Sequence, residues 1–302
     1  MRLVTFVDKT TKEQTGLLLG EHILPLASAV QAAGIDVDVS SVLAIVRAGA
    51  ESIRLLAGLA ARAGEWKAAC VAVNTVRLLA PIPNPLRNVF CVGRNYVDHI
   101  KEGMPGKPSE VTLPEVPQFF TKATHTVNAP QGDVRLDTTI TSRLDYEVEL
   151  AVVIGKGGRD IERAQAFEHV FGYCVANDIT ARDLQRRHEQ WFKGKSLDST
   201  FPMGPSLVTK DEVPDVREMG LSLHVNGELR QQAKVAQMIF DIPAIIASLS
   251  AGLTLEAGDI ISTGTPSGVG YAMTPPHYLK HGDEVLARID GLGELRNRVV
   301  AV

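Results

Sequence analysis

The chain has 302 residues, of which 45% are hydrophobic and 22% are charged, a balance typical of globular proteins and unlike that of long disordered regions. Its 31 basic and 35 acidic residues leave a net charge of −4, and aromatic residues make up only 5%. These values disfavour a polyanion-binding surface and a broad platform for stacking nucleic-acid bases, so no nucleic-acid partner is expected.

The first eighty residues are predicted to form a small N-terminal α+β domain. Arg2–Val7 and Thr15–Leu19 have the composition of short strands on either side of a polar turn. Residues Ser41–Ala63 are rich in Ala, Leu and Ile at helical spacing, which predicts a helix. Prolines at positions 81, 83 and 85 cannot continue a helix or a central strand, so we place the boundary between domains 1–80 and 81–302 there.

A polar segment follows the apolar strand predicted at Val89–Val92. His99 and Glu102 are three residues apart, which makes them neighbours on a helical turn. A glutamate beside an imidazole orients it and raises its basicity, as a general base requires. Arg94 has the guanidinium needed to bind a substrate carboxylate. A surface His–Glu pair and a surface or interface arginine remain the alternatives.

Two glutamates alternate with apolar residues in the strand predicted at Tyr146–Ile154. Because strand side chains alternate, Glu147 and Glu149 face one way while Val148 and Leu150 face the core. Neighbouring carboxylates repel each other, so a cation is expected beside them, and a hard divalent metal binds carboxylate oxygens well. A solvated strand face with salt-bridged glutamates remains open.

A third carboxylate follows a second apolar strand, predicted at Phe171–Ala176. Asp178 comes at the end of this strand, where a neighbouring strand is able to bring it beside Glu147 and Glu149. This placement favours the metal interpretation, although Asp178 alone is also typical of a turn or a cap. Thr180 and Asp183 then predict a variant capping box at the start of a helix.

Two later segments offer groups that stabilise negative charge. Lys195 and the amide of Gln185 are candidates to stabilise an oxyanion, with ordinary surface positions as the alternative. The glycine-rich turn Thr263–Gly270 offers backbone N–H groups and hydroxyls to an anion. It lacks the Gly-Lys-Ser/Thr of a nucleotide-phosphate loop and the spacing of the dinucleotide fingerprint.

The rest of the second unit is predicted to be strand-rich. Residues 221–231 and 285–300 have the sequence of β-hairpins, and Asn226-Gly227 accepts the positive φ angles of a type I′ turn. Helical patterns occur at Thr180–Trp191 and Ile239–Ser248. Because strands outnumber helices and do not alternate with them regularly, the fold class is α+β, with peripheral helices on an antiparallel or mixed sheet.

Cysteine usage and hydropathy predict a protein of the reducing cytoplasm. Cys70, Cys91 and Cys174 are widely spaced among apolar residues, as is typical of buried thiols rather than disulfides or a zinc site. No run of 18 apolar residues predicts a membrane span, and Met1–Val7 leads into charged residues rather than an apolar signal segment.

In chain order, these segments resemble the fumarylacetoacetate hydrolase family over residues 86–302. The first eighty residues match only as the variable small N-terminal domain that many members carry. The matching pieces are Val92-Gly93-Arg94-Asn95-Tyr96 with His99 and Glu102, Asp145-Tyr146-Glu147-Val148-Glu149, Asn177-Asp178 with Ala181-Arg182-Asp183, Gly194-Lys195-Ser196, and Thr263-Gly264-Thr265-Pro266-Ser267-Gly268-Val269-Gly270.

The resemblance implies the mixed β-roll catalytic fold of this family, in a homodimer, with a site for Mg²⁺ or Mn²⁺. The eponymous enzyme has a further metal-ligand aspartate seven residues before the histidine, where this chain has Val92. The site therefore resembles the three-carboxylate version, and fumarylacetoacetate itself is not the expected substrate. The roles implied are metal ligands for Glu147, Glu149 and Asp178, a catalytic dyad for His99 and Glu102, oxyanion contacts for Lys195 and Gln185, and substrate contacts for Thr265 and Lys122.

The function expected first is metal-dependent hydrolysis of a carbon–carbon bond in a 2,4-dioxo acid of the acylpyruvate type, through a metal-stabilised enolate. Decarboxylation of oxaloacetate-like acids, or isomerisation of dienoates from aromatic catabolism, is the alternative on the same site. A non-catalytic binding protein is a third possibility, which the intact carboxylate set disfavours. The proline-rich segment Gly103–Pro117 is predicted to form a loop near His99 and Glu102 that sets specificity.

Overall fold

The computed structural model describes residues 1–9, 11–103 and 112–302, so most of the loop predicted at Gly103–Pro117 lies outside the described residues. The strand-rich α+β class is confirmed. The strands are β1 (Arg2–Val7), β2 (Glu13–Leu19), β3 (His22–Pro25), β4 (Val71–Ala72), β5 (Arg77–Leu79), β6 (Val89–Gly93), β7 (Gln118–Lys122), β8 (Val127–Asn128), β9 (Val134–Leu136), β10 (Leu144–Asp145), β11 (Val148–Ile154), β12 (Val170–Asn177), β13 (Thr180–Ala181), β14 (Phe201–Thr209), β15 (Gly220–Val225), β16 (Glu228–Lys234), β17 (Ile260–Ser262), β18 (Glu284–Ile289) and β19 (Gly293–Ala301). The helices are α1 (Leu26–Ala33), α2 (Val42–Ala48), α3 (Ala50–Ala61), α4 (Val97–Glu102), α5 (Ala166–His169), α6 (Arg182–Arg187), α7 (Phe192–Lys195) and α8 (Ile242–Ser250).

A large mixed sheet forms the framework, with the strand order β4-β3-β2-β1-β14-β12-β11-β17-β6-β7. Strand β5 also pairs with β1, and β8 pairs with β14. A second sheet has the order β16-β15-β18-β19-β9, and β10 and β13 form a short pair. Apolar residues of both large sheets share one core, in which Val152 and Val175 lie with Leu223 and Leu295. The sheets therefore pack face to face around a common apolar layer.

Strand β11 is buried along its whole length. Val148, Leu150 and Val152 belong to the core shared by the two sheets, as the alternation predicts. Ala151 and Val153 belong to a second core on the opposite face. The interpretation of a solvated strand face is therefore wrong, and any carboxylate on this strand lies in a buried environment.

The N-terminal strands are continuous with the main sheet. β1 pairs with β14 through Arg2↔Val208 and Leu3↔Leu207. Leu3 and Leu17 share a core with Phe201 from β14. The division into domains 1–80 and 81–302 stays a prediction, and the structure adds that the two parts share a sheet and a core.

The helical spacing at Ser41–Ala63 is confirmed, and the segment forms two helices, α2 and α3. They are separated by Gly49, whose φ of 75° favours glycine. Ser41 caps α2, because its side chain accepts a hydrogen bond from the backbone of Ala44. The glycine therefore divides the predicted helical segment into two short helices.

Both predicted hairpins are confirmed, as β15–β16 and β18–β19. Asn226 and Gly227 have φ angles of 52° and 82°, the left-handed values that a type I′ turn requires. The predicted capping box is wrong. Thr180 lies in β13, where its hydroxyl donates to the carbonyl of Asp178, and α6 begins without a side-chain cap.

The cysteines follow the prediction in part. All three are free, and Cys91 and Cys174 are buried, whereas Cys70 is half-buried. Burial raises the pKa of the Cys91 thiol well above its ordinary value. Within the described part of the chain, no helix has the length and apolar character needed to cross a bilayer.

We expect Asp241→Ala to lower the free energy of unfolding by about 1 kcal/mol, the usual value of a helix N-cap. The side chain of Asp241 accepts a hydrogen bond of 2.9 Å from the backbone of Ala244 at the start of α8. Asp241→Asn is the control, because it keeps an N-cap oxygen and removes the charge that faces Arg163. Chemical denaturation measures the free energy of unfolding of both variants. Equal losses in Asp241→Ala and Asp241→Asn would assign the effect to the ion pair with Arg163 instead of the N-cap.

Candidate active site

Three carboxylates meet where β11 begins and β12 ends. The antiparallel register places Val148 opposite Asn177, so Glu147 and Asp178 are adjacent across the strand ends. The backbone N–H of Asp178 donates to the carbonyl of Glu147 at 2.8 Å, and the side chain of Asn177 accepts from the N–H of Glu147 at 2.9 Å. One carboxylate oxygen each from Glu147, Glu149 and Asp178 lies within 4.8 Å of the others. The neighbourhood predicted for these residues is therefore confirmed.

Two cations neutralise Glu147. Lys195 Nζ lies 2.6 Å from Glu147 Oε2 and 2.7 Å from Asp178 Oδ2, and Arg182 Nη2 lies 2.7 Å from Glu147 Oε1. Burial opposes ionisation, but the attraction of Lys195 and Arg182 outweighs it and lowers the pKa of Glu147 to about 2. The same carboxylates raise the pKa of Lys195 against the effect of its burial. Both groups are therefore charged at neutral pH.

Glu149 has no comparable partner, since no cationic side chain in the described residues forms an ion pair with it. Its Oε2 accepts hydrogen bonds from Ser262 Oγ at 2.6 Å and from the N–H of Gly264 at 2.9 Å. Burial, together with repulsion from Asp178 and Glu147, raises its pKa well above the ordinary value. The three residues thus form a compact set of carboxylate oxygens, of which Glu149 has no cationic partner, and this set fits a hard divalent cation.

The glycine-rich turn at 263–270 offers N–H groups to anions, as predicted, and the anions that three of them meet are carboxylates of the protein itself. Gly264 donates to Glu149, Gly268 donates to Glu102 at 2.7 Å, and Gly270 donates to Asp145 at 2.7 Å. Gly268 has a φ of 105°, and a Cβ there would overlap the carbonyl oxygen of Arg230. The turn therefore orients the acidic residues of the site.

His99 and Glu102 form the predicted pair on α4. His99 Nδ1 and Glu102 Oε1 are 2.7 Å apart, and Glu102 Oε2 accepts the hydrogen bond from Gly268. This leaves Nε2 as the ring nitrogen available for proton transfer. His99 lines a cavity of about 330 Å³ together with Glu147 and Glu149. The imidazole and two of the three carboxylates therefore face one space.

The remaining candidates differ in their access to this cavity. Arg94, Gln185, Lys195 and Thr265 line it. The hydroxyl of Thr265 is already engaged, because it donates to the carbonyl of Val148 at 3.0 Å and accepts from Gln231. Arg94 is exposed and lies 6.0 Å from the ring of Trp191.

Lys122, for which the resemblance implies a substrate contact, lies elsewhere. Its side chain is completely buried, and Nζ is 2.8 Å from Asp178 Oδ1. It is not among the described residues that line the cavity.

Sequence reasoning missed several residues of the cavity, above all Arg182 as a functional group. Arg182 Nε donates to Asp145 Oδ2 at 2.8 Å, and its guanidinium lies 4.4 Å from the ring of Tyr271. Burial raises the pKa of Asp145 despite the opposing attraction of Arg182. Asp145 could have been predicted as part of this acidic group, because Asp145, Glu147 and Glu149 occupy alternate positions in the sequence. No sequence signal marked Tyr271, Trp191 or Arg186, which also line the cavity.

We expect Lys195→Met to reduce kcat by about 10²–10³, the usual cost of losing an oxyanion donor. Because the change also leaves Glu147 and Asp178 without their shared cation, the metal-free protein should lose roughly 3–5 kcal/mol of stability. Thermal unfolding with and without Mn²⁺ measures this, and added Mn²⁺ should restore part of the loss. A change in KM alone would show that Lys195 only anchors a substrate carboxylate.

A family model described as fumarylacetoacetate (FAA) hydrolase C-terminal matches residues 88–300. Oxaloacetate tautomerase YisK of Bacillus subtilis (strain 168) is 52% identical over 227 residues, which are 75% of this chain and 74% of that protein. The site described above lies within the residues that the family model matches.

Solved structures resemble the chain over its whole length. A fumarylacetoacetate hydrolase from the psychrophilic Exiguobacterium antarcticum has a TM-score of 0.81 at 38% identity and covers 100% of both chains. Maleylpyruvate hydrolase from Sphingobium sp. SYK-6, in complex with manganese(II) ion and pyruvate, has a TM-score of 0.77 at 28% identity and covers 100% of this chain and 99% of that one.

Proposed function

Because the chain belongs to the fumarylacetoacetate hydrolase family, we propose that it interconverts the keto and enol forms of a small 2-oxo dicarboxylic acid of the oxaloacetate type. The sequence analysis placed hydrolysis of an acylpyruvate first, and decarboxylation of oxaloacetate-like acids or isomerisation of dienoates second, without naming keto–enol interconversion. The relationship to an oxaloacetate tautomerase at 52% identity supports the second reading better than the first.

The observation that carries the proposal is that His99, held by Glu102, lines the same cavity as Glu147 and Glu149 of the carboxylate cluster. Keto–enol interconversion moves a proton from the carbon beside a carbonyl to the carbonyl oxygen. His99, held by Glu102 through Nδ1, would take the carbon-bound proton at Nε2, and the resulting imidazolium would return that proton to the enolate oxygen. The reverse reaction would follow the same two transfers in the opposite order. When held by Glu147, Glu149 and Asp178, Mg²⁺ or Mn²⁺ would supply a Lewis acid for the 2-oxo group.

Other residues of the cavity suit a doubly charged acid. Arg94 and Arg186 line it, and within the described residues neither forms an ion pair with a carboxylate, so both are able to bind a substrate carboxylate. Lys195 and the amide of Gln185 would donate to the developing enolate oxygen. A volume of about 330 Å³ fits a small acid, since ligand cavities begin at about 300 Å³.

A direct comparison of three reactions tests the proposal. The protein with Mn²⁺ or Mg²⁺ is mixed with enol oxaloacetate, and the loss of the conjugated enol is followed by ultraviolet absorbance. Release of pyruvate from oxaloacetate and cleavage of acetylpyruvate are measured in parallel. We expect enol–keto interconversion to have the highest kcat/KM. A higher kcat/KM for acetylpyruvate, with no effect on the enol, would contradict the proposal.

Acylpyruvate hydrolysis is the second candidate, because a base next to a metal site is also able to activate water. The similarity to a maleylpyruvate hydrolase that holds manganese and pyruvate favours it. His99 would then remove a proton from water, and Lys195 with Gln185 would stabilise the tetrahedral oxyanion. The acetylpyruvate arm of the same experiment decides between the two candidates.

A further inference from the structure

We infer that Lys122 is a positioning residue, which holds Asp178 in place for metal binding and does not contact the substrate. The inference concerns the metal site alone and does not depend on which oxo acid the protein uses. It replaces the substrate contact that the resemblance implies for this lysine.

The contacts of Lys122 all lie inside the protein. Its Nζ is 2.8 Å from Asp178 Oδ1, and it donates to the carbonyl of Ile179 at 3.0 Å and to Thr200 Oγ1 at 3.3 Å. The ring of Phe201 lies 5.9 Å from Nζ. The side chain has 0% exposure, so it is out of reach of a molecule in the cavity.

The charge of Lys122 is compensated by a single carboxylate. A buried ammonium is costly unless it is paired and hydrogen-bonded. Among the described residues, Asp178 is the only carboxylate at ion-pair distance from Lys122. The lysine therefore acts through Asp178, because its other contacts are a carbonyl and a hydroxyl.

The two oxygens of Asp178 contact different lysines. Oδ1 faces Lys122, whereas Oδ2 lies 2.7 Å from Lys195, which also contacts Glu147 and lines the cavity. Lys122 thus forms an ion pair with the carboxylate from the protein interior, without a hydrogen bond to Oδ1, and Lys195 contacts it from the cavity. A carboxylate whose one oxygen is paired with a buried cation keeps its other oxygen at a defined position, which is what a metal ligand needs.

Metal titration calorimetry with Mn²⁺ tests the inference. We expect Lys122→Met to raise the Kd for Mn²⁺ by about 10–100-fold, as is typical when the partner of a metal ligand is lost. At saturating Mn²⁺, the KM for the oxo acid that the unmodified protein turns over, oxaloacetate or acetylpyruvate, should change less than about twofold. Lys210→Met is the control away from the site, because Lys210 is exposed and donates to two main-chain carbonyls far from the carboxylate cluster. Its Kd for Mn²⁺ should equal that of the unmodified protein.

A second pair of variants covers the case in which Lys122→Met does not fold. Asp178→Asn removes the carboxylate, and the double variant with Lys122→Met removes both buried charges, which proteins tolerate better than one. The two variants should then bind Mn²⁺ equally weakly, because Lys122 acts only through Asp178. An unchanged Kd in Lys122→Met, or a Kd that differs between the Asp178→Asn variants, would overturn the inference. A raised KM at saturating Mn²⁺ would instead assign Lys122 to the substrate.

Discussion

Glu149→Gln should abolish activity and greatly weaken metal binding while leaving the fold intact. The amide oxygen of glutamine is able to accept the hydrogen bonds that Glu149 receives from Ser262 and Gly264. The change removes one charge from three mutually repelling carboxylates, so nothing in the metal-free protein loses an ionic partner. Calorimetric titration with Mn²⁺ and the enol assay measure the two losses. Asp178→Asn should likewise abolish activity and weaken metal binding.

The raised pKa of Glu149 adds a pH dependence with a definite sign. The folded metal-free protein holds a proton on this group more tightly than the unfolded chain does, so its stability falls as pH rises above the ordinary carboxyl pKa. Glu149→Gln should remove this fall. The melting temperature of the variant, relative to that of the unmodified protein, should therefore rise between acid and neutral pH. Glu189→Gln, a cavity carboxylate outside the cluster, is the control and should keep metal affinity. Full activity in the presence of EDTA would refute the metal site itself.

His99→Ala should slow enol–keto interconversion, and any acylpyruvate cleavage, by about 10²–10⁴, the usual contribution of a positioned general base. Decarboxylation of oxaloacetate requires chiefly the metal, so most of that rate should remain. Glu102→Gln should have a smaller effect of the same sign, because the imidazole stays but loses the carboxylate 2.7 Å from Nδ1.

All rates for these variants are compared at saturating Mn²⁺, with Mn²⁺ affinity measured separately, so that lost metal is not mistaken for a lost base. If His99→Ala slows interconversion and decarboxylation equally, His99 is not a selective proton carrier. Binding of the oxo acid would then be the better role for it.

Each part of the metal cluster could be predicted from a local pattern. Alternation into β11 places Glu147 and Glu149 on one side, and Asp178 follows the apolar strand β12, whose pairing with β11 brings it beside them. The break at Gly49 could also have been predicted, since a glycine between two apolar segments is a common helix end. Features of this kind depend on a few consecutive residues.

The missed features depend on which segments meet in space. Lys122 reaches Asp178 across 56 positions of the chain, and no local pattern distinguishes a buried lysine from an exposed one. The turn at 263–270 has the composition of an anion-binding loop, but the anions it meets are Glu149 and Glu102. The chemistry of that turn was therefore predicted correctly and its partner was not.

Strand β14 has a further consequence for how the chain can be divided. One of its edges is covered by β1, through the pairs Arg2↔Val208 and Leu3↔Leu207. Residues 81–302 expressed alone would leave these N–H and C=O groups unpaired and would uncover Phe201 and Leu207 of the shared core. An open apolar edge of this kind pairs with other chains. The N-terminal strands thus keep this edge of β14 from pairing with other chains.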